Sequence, residues 1–303
     1  MPRALLIAVA AVCFLACGGS DAPLTEASAE RSSGRPVRIV PANTAAAEFL
    51  ATILGDEEAA RIAAIPEQVD AYSNLDFKRP PWSSISRFSR YEPEPLITLR
   101  PDLVVTHAWQ SADTTHILRA QNISVVVLAS ARGYEEIRDQ IASLGKTLAA
   151  EERAARVLSA LDERVAALRA SAARREGLRV LEYANDGTGG WTAGLDTTAD
   201  AMIRLAGMRN AAGEESIHGH VRLDSERLLT LDPDILLVGA PARDDTGSPT
   251  KGVLEGVPEY ASLSAVKKGR IVVLPASLLS SDSPCLVDAA ERLAAEVDLV
   301  LSR

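Results

Sequence analysis

Aromatic residues make up only 4% of this 303-residue chain, and several fall where no helical or strand period would bury them. Tyr72, Trp82 and Phe88 lie in a Pro- and Ser-rich stretch. Trp109 ends THAW (Thr106–Trp109), directly after a strand-like run, and Trp191 sits in the glycine-rich NDGTGGWTAG (Asn185–Gly194). Rings on loops expose apolar area unless they cover something, and a flat guest stacked on them gains about 0.5–1.5 kcal/mol per contact beyond burial. Arg87 and Arg90 flank Phe88, with the fork geometry that suits carboxylates or catecholates. Asn43 and Thr44, in PANT (Pro41–Thr44), follow a strand and open a helix, an arrangement that aims backbone N–H groups at a ligand. The histidines are His107, His116, His218 and His220. His116 falls in mid-helix, and HGH (His218–His220) alone is not a metal signature.

Two glutamates form a second pattern. EPLITLRPDLVV runs from Glu94 to Val105 and ERLLTLDPDILL from Glu226 to Leu237, at a constant offset of 132 residues, with half of the twelve positions identical. In each copy a short helix begins near the glutamate, Pro-Asp stops it, and a buried strand follows. A two-fold symmetric partner offers two equal basic patches, and a single chain meets both with a duplicated acidic contact. The plain alternative is helix stabilisation, since a carboxylate near a helix N-terminus gains about 0.3–1 kcal/mol from the dipole.

The elements that must position these groups alternate in type. Strand-like runs are read at Val37–Val40, Arg61–Ile65, Leu103–Val105 and Ser124–Leu128, with helices at Ala45–Leu54, stopped by Gly55, and Asp113–Ala120. Tyr134–Glu176 breaks the alternation, with Leu158, Leu161, Val165 and Leu168 at helical spacing. A long helix is expected from Glu151 to Arg174, preceded by a shorter one. Alternation resumes with Arg179–Tyr183, a helix Thr198–Leu205, Ile235–Val238, Arg270–Leu274 and a last helix Pro284–Leu301, at whose start Cys285 packs. Continuous Val/Leu runs separated by helices predict parallel strands in βαβ units. The expected architecture is α/β: an N-terminal lobe over 37–133, linking helices over 134–176 and a C-terminal lobe over 177–303. The cleft between the lobes lies beyond the carboxyl ends of the strands. A helical link predicts only modest motion between lobes.

Charge and the first residues narrow the class. The formal net charge is -9 and no Lys/Arg block stands out, which argues against nucleic acid and against a polybasic lipid contact. Residues 1–16 read as an export signal, with Arg3 ahead of an apolar run too short for a span of roughly 20 residues. The run ends in Leu15-Ala16-Cys17-Gly18, which resembles the lipobox of bacterial lipoproteins and makes Cys17 the expected lipidation site. Residues 17–36 read as a flexible tether. Cys13 leaves with the signal, so Cys285 has no cysteine to pair with and no disulfide framework is expected.

From Val37 to Leu301 the sequence resembles the substrate-binding proteins of bacterial ABC importers, in the group that carries ferric siderophores, haem and vitamin B12. The resemblance rests on VRIVPANTAAAEFL, ITLRPDLVV, the linking helix, TTADAMIRLAGMRNAA, DSERLLTLDPDILLVG and SLSAVKKGRIVVL, in that order. It implies two Rossmann-like lobes joined by one long helix, and no catalysis. It implies a cargo that is an iron or cobalt chelate, with no intrinsic cofactor. It implies that Glu94 and Glu226 dock onto the two subunits of an ABC permease. By motif position Phe88, His107, Trp191 and His220 fall where the B12-binding member has pocket aromatics, and its first-lobe tyrosine corresponds to Tyr72. Trp82 and Trp109 join this wall, or plug the core beneath their loops. Asp282 and Ser283 stand at the cleft rim, but the acidic and basic pair of the B12 pattern has no counterpart there. His107 and His220, one from each lobe, would be able to ligate a haem iron or another metal with a vacant position. Hydrogen bonding to polar ligand groups is the other role open to them, and Tyr72 is a rival axial ligand.

Two other classes deserve weighing. As an enzyme, the best case is a chelatase-like protein acting on tetrapyrroles, which the export signal opposes. GKT (Gly145–Thr147) lacks the earlier glycine of a phosphate loop, since Gln140 stands there, and neither G-x-S-x-G nor H-E-x-x-H occurs. A carrier of bare metal ions would need more ligands than His107, His220 and one acid. The expected protein is therefore exported and lipid-anchored, facing a periplasm or the cell exterior.

Overall fold

The computed structural model describes residues 34–185, 187, 189–241 and 247–303. The export signal, Cys17 and most of the tether lie outside the described residues. Where the chain enters, Arg35 pairs with Glu58, and the Pro36 carbonyl accepts from Arg61 Nε at 2.8 Å.

The first lobe holds β1 (Ile39–Pro41), β2 (Ala64–Pro66), β3 (Ser86–Phe88), β4 (Leu103–His107) and β5 (Ser124–Leu128). A parallel sheet runs in the order β1-β4-β5, and β2 and β3 form a separate parallel pair. Every residue of β4 is buried, as its unbroken LVVTH run requires of a strand covered on both faces. The expected strand Arg61–Ile65 is corrected: a 3-10 helix takes Asp56–Arg61, and β2 starts at Ala64. Arg61 is buried there because its guanidinium satisfies the Pro36 and Leu148 carbonyls and Glu58.

The second lobe holds β6 (Arg179–Asn185), β7 (Gly190–Ala193), β8 (Arg209–Asn210), β9 (His220–Arg222), β10 (Ile235–Ala240) and β11 (Ile271–Pro275). Strand order is β11-β10-β6-β7-β9, with β8 also on β6. β11, β10 and β6 are parallel, and β7 and β9 extend the sheet as an antiparallel ribbon. That ribbon corrects a second expectation, because Trp191 stands on a strand rather than a loop.

Helix Tyr134–Thr147 and helix Glu151–Ala170 link the lobes, the second spanning about 30 Å over 20 residues. A 3-10 turn at Ala172–Arg174 replaces the last predicted turn. GKT lies at the end of the first linking helix. A Cβ on Gly145 would come within 2.5 Å of the Ala154 Cβ, so the glycine serves close helix packing and not a phosphate. Ala154, Leu161, Val165 and Leu168 turn the long helix inward. They join one apolar cluster with Phe49 and Ile53 of the first lobe and Val287 and Leu293 of the last helix, Leu286–Leu301. Arg164 clamps the same two helices from outside, reaching Asp288 at 2.5 Å and Glu291 at 2.7 Å. A core shared by both lobes resists wide opening.

The duplicated segment is a duplicated structure. Helix Pro93–Thr98 and helix Ser225–Leu231 each carry the glutamate at the second position, exposed. The Asp102 carboxylate accepts from the Val37 and Arg38 N–H groups, as Asp234 does from Arg179 N–H. Arg38 donates to the Leu99 and Arg100 carbonyls, and Arg179 to those of Leu231 and Asp232. In both copies an arginine at the head of a strand, Arg38 just before β1 and Arg179 as the first residue of β6, closes the open carbonyl end of the glutamate-bearing helix. Arg100 and Asp232, again 132 apart, both adopt a left-handed backbone.

Candidate functional site: the cleft between the lobes

A cavity of about 610 Å³ opens between the first lobe and the segment 277–282 that leads into the last helix. Its first wall is set by helix Thr44–Leu54. Asn43 starts that helix, its Oδ1 accepting from Ala46 N at 2.8 Å, and Gly55, at φ 65°, ends it. The first-turn N–H groups of Thr44 and Ala45 have no intrahelical acceptor and border the cavity. Asn43 Nδ2 donates to Gln110 Oε1 at 2.6 Å, and Gln110 Nε2 donates to the Ala42 carbonyl. These bonds fix the turn after β4 that carries Trp109.

Tyr72, Phe88, Tyr91 and Trp109 supply aromatic surface to the same cavity. Tyr72, at the end of a short helix Val69–Tyr72, is 63% exposed, and Trp109 is 64% exposed. The Tyr72 hydroxyl hydrogen-bonds to no described residue. Thus Asn43, Thr44, Tyr72, Phe88 and Trp109 are brought together, and sequence reasoning missed Glu48, Gln68, Asn74, Tyr91, Gln110, Thr198, Ser277, Ser280 and Ser281 beside them.

Other candidates stand elsewhere. Trp82 is 3% exposed, lies edge-on to Phe77 at 5.4 Å, and donates Nε1–H to Asp56 at 2.7 Å. It plugs the core and does not line the cleft, the second of the two roles its loop allowed. Arg87 is likewise spent: it binds Asp70 at 2.9 Å and donates to the Phe77, Trp82 and Ile85 carbonyls. Arg90 points outward and pairs with Glu92 at 3.5 Å.

His107 is 1% exposed and lies beneath Trp109, ring centroids 5.4 Å apart. Its Nε2 is 2.9 Å from Asp282 Oδ2, yet off the line a hydrogen bond requires, so both ring nitrogens lack one. Its Nε2 edge faces Asp282 and the buried ring is not among the residues that line the cavity, so it is not placed to hold a ligand iron. His220 and Trp191 stand on the β7–β9 ribbon of the other lobe, outside the residues that line the cavity. Trp191 is 44% exposed, with the Arg222 guanidinium 5.4 Å above its ring. His218 Nδ1 meets Asp196 at 2.8 Å.

Glu48 forms the cavity floor and ties it to the second lobe. Its carboxylate accepts from Ser73 Oγ at 2.8 Å, Asn74 N at 2.7 Å and Ser283 Oγ at 2.5 Å. Burial pushes its pKa up, against the opposing pull of these donors. Cys285, directly behind, has its thiol pushed up by burial and then by Glu48. Asn74 Nδ2 donates to the Ser277 carbonyl at 3.1 Å, and Ala131 N donates to Asp282 at 2.9 Å. Glu48 was legible in principle, as the one charged residue in the apolar run TAAAEFLATIL.

Chemically, the cavity offers rings for stacking and amides and hydroxyls for orientation. Among the described residues no group of three or more His, Cys, Asp or Glu side chains is placed to hold a metal ion.

No curated protein matches the sequence significantly. Solved structures do. The apo haem-binding protein RhuT from Roseiflexus sp. RS-1 superposes with a TM-score of 0.72 at 23% identity, over 88% of this chain and 100% of that one. The haem-binding protein BhuT, in complex with two haems, gives 0.74 at 26% identity, over 88% and 100%. The vitamin B12-binding protein BtuF of Vibrio cholerae gives 0.69 at 18% identity, over 88% and 99%. The family described as "Periplasmic binding protein" matches residues 41–278. With that match added to two α/β lobes on a long helix and a cleft between them, the chain belongs to the periplasmic binding protein family.

Proposed function

We propose that the protein is an exported, lipid-anchored solute-binding protein that captures haem or a related iron or cobalt chelate and delivers it to an ABC importer, without catalysing a reaction. The observation that carries this reading is the Tyr72 phenol, hydrogen-bonded to no described residue, on an aromatic cleft wall with Phe88, Tyr91 and Trp109. A phenolate is an axial ligand that ferric haem accepts, and flanking rings suit a flat macrocycle. Tyr72 is preferred to His107 and His220 as the ligand, because His107 is buried under Trp109 and His220 lies outside the cavity lining. The structural similarity to haem-, B12- and hydroxamate-binding proteins supports the same class of cargo.

Delivery rests on Glu94 and Glu226. Neither is in an ion pair with a described residue, each stands in the first turn of an equivalent helix, and the cap of the second helix is Asp224. Two equal, free carboxylates on matching lobes suit the two halves of a symmetric permease. Residues 1–16 serve as signal, Cys17 as anchor and 17–36 as tether, on the sequence pattern alone. The lobes run over 37–133 and 177–303.

Titration of tryptophan fluorescence tests the cargo. Haemin is expected to quench it saturably at one site or more, free zinc and manganese are not, and Tyr72→Phe is expected to weaken haemin by more than about 100-fold. Quenching by zinc or manganese and not by chelates would identify a bare-ion carrier instead.

A further inference from the structure

The cavity is lined by two carboxylic acids, Glu48 and Asp282, and among its described lining residues there is no lysine, arginine or histidine. The wall that carries Tyr72 and Phe88 is not short of cations in sequence; the fold takes them away. Arg79 is bound to Asp56 at 2.7 Å, behind Trp82. Arg87 is held by Asp70 and three backbone carbonyls, and Arg90 pairs with Glu92 in solvent. Of the other arginines near the junction of the lobes, Arg132 meets Asp196 and Arg204 meets Asp200. Besides the rings, the groups left facing the cavity are neutral: hydroxyls, side-chain amides and the first-turn N–H groups of Thr44 and Ala45. Asn43 and Gln110 bond each other, and the Ser280 hydroxyl bonds the Ala276 carbonyl.

We propose that the cleft discriminates among metal chelates by charge, with Asp282 as the residue that sets it. It accepts a chelate whose buried face is neutral or cationic, such as the body of a porphyrin or a ferric hydroxamate, and turns away polyanionic ferric catecholates. The proposal rests on the reading of the protein as a chelate carrier and narrows its cargo. The physical cause is that a triply negative complex would lose its hydration against a wall with no cationic side chain, beside the Asp282 carboxylate of its own sign. Haem satisfies the rule when its propionates stay at the mouth, in water.

The test titrates the apo protein with three probes: haemin, the cationic ferric trihydroxamate ferrioxamine B, and a ferric tris-catecholate of charge −3. The tris-catecholate is expected to bind at least about 30-fold more weakly than the better of the other two, and to gain affinity as salt rises, the sign of screened repulsion. Asp282→Asn is expected to narrow the gap. Because Asn changes the contact to Ala131 and His107, its thermal midpoint is measured alongside, and the salt dependence of the unmutated protein stands as the independent readout. A tris-catecholate that binds within 30-fold of the others, or that loses affinity with salt, overturns charge selection while leaving the carrier reading intact. Failure of all three probes overturns both.

Discussion

Replacing Glu182 by glutamine is expected to make the protein more stable in mildly alkaline solution and to leave it unchanged in acid. Glu182 is partly buried on β6, next to the ribbon β7, and its pKa is pushed up to about 7 by desolvation, against 4.5 for a free glutamate; a hydrogen bond from Ala193 opposes the shift. A carboxyl raised in the folded state binds its proton more tightly there than in the unfolded chain. Its contribution is therefore fully present below 4.5 and is lost as pH rises through about 7. The full shift corresponds to roughly 3 kcal/mol at 1.36 kcal/mol per unit, which residual solvent contact reduces to about 2 kcal/mol. Glutamine keeps an oxygen for Ala193 and carries no charge to desolvate. Urea unfolding at pH 4 and pH 8 checks this. The two proteins should coincide at pH 4, and at pH 8 the variant's midpoint should lie higher by somewhat under 1 M. A gap of equal size at both pH values would refute the linkage, and a less stable variant at pH 8 would show that the carboxylate is compensated in the fold.

Three further outcomes are expected. Trp82→Phe should cost about 2 kcal/mol of unfolding free energy, from the lost bond to Asp56 and lost packing on Phe77, without changing haemin affinity; a drop in affinity would return Trp82 to the binding wall. Charge reversal at both Glu94 and Glu226 should abolish uptake in cells while haemin affinity stays within about 2-fold of the original, and weakened binding instead would speak for a local structural role. Trp109→Ala should weaken haemin by about 2–10-fold through lost stacking and leave the urea midpoint nearly unchanged, since the side chain is largely exposed.

The repeat Glu94–Val105 and Glu226–Leu237 made much of the fold legible, because a twice-used device fixes the same helix, turn and buried strand in both lobes. Periodicity also located the linking helix through Leu161, Val165 and Leu168. It failed where short elements depend on distant partners. Arg61 looks like a strand residue until its carbonyl acceptors, Pro36 and Leu148, come together in space. Trp191 looks like a loop residue because β7 is only four residues long and is held by pairing with β6 and β9. At the site, residue type placed Tyr72, Phe88 and Trp109 on the cleft. It left Trp82 between two roles and set Arg87 in the cleft because their partners, Asp56 and Asp70, lie 26 and 17 residues away, with no local signal linking them. Ser277, Ser280 and Ser281 reach the cavity only because the lobes meet there, which no local pattern announces.

The visible absorption spectrum of the protein purified from its own cells tests the central claim most directly. A cleft that receives an aromatic-stacked metal chelate predicts a retained chromophore, foremost a Soret band, with Tyr72→Phe losing or shifting it. Protein that emerges colourless and stays so after incubation with haemin, a cobalt corrinoid and a ferric hydroxamate would contradict the account.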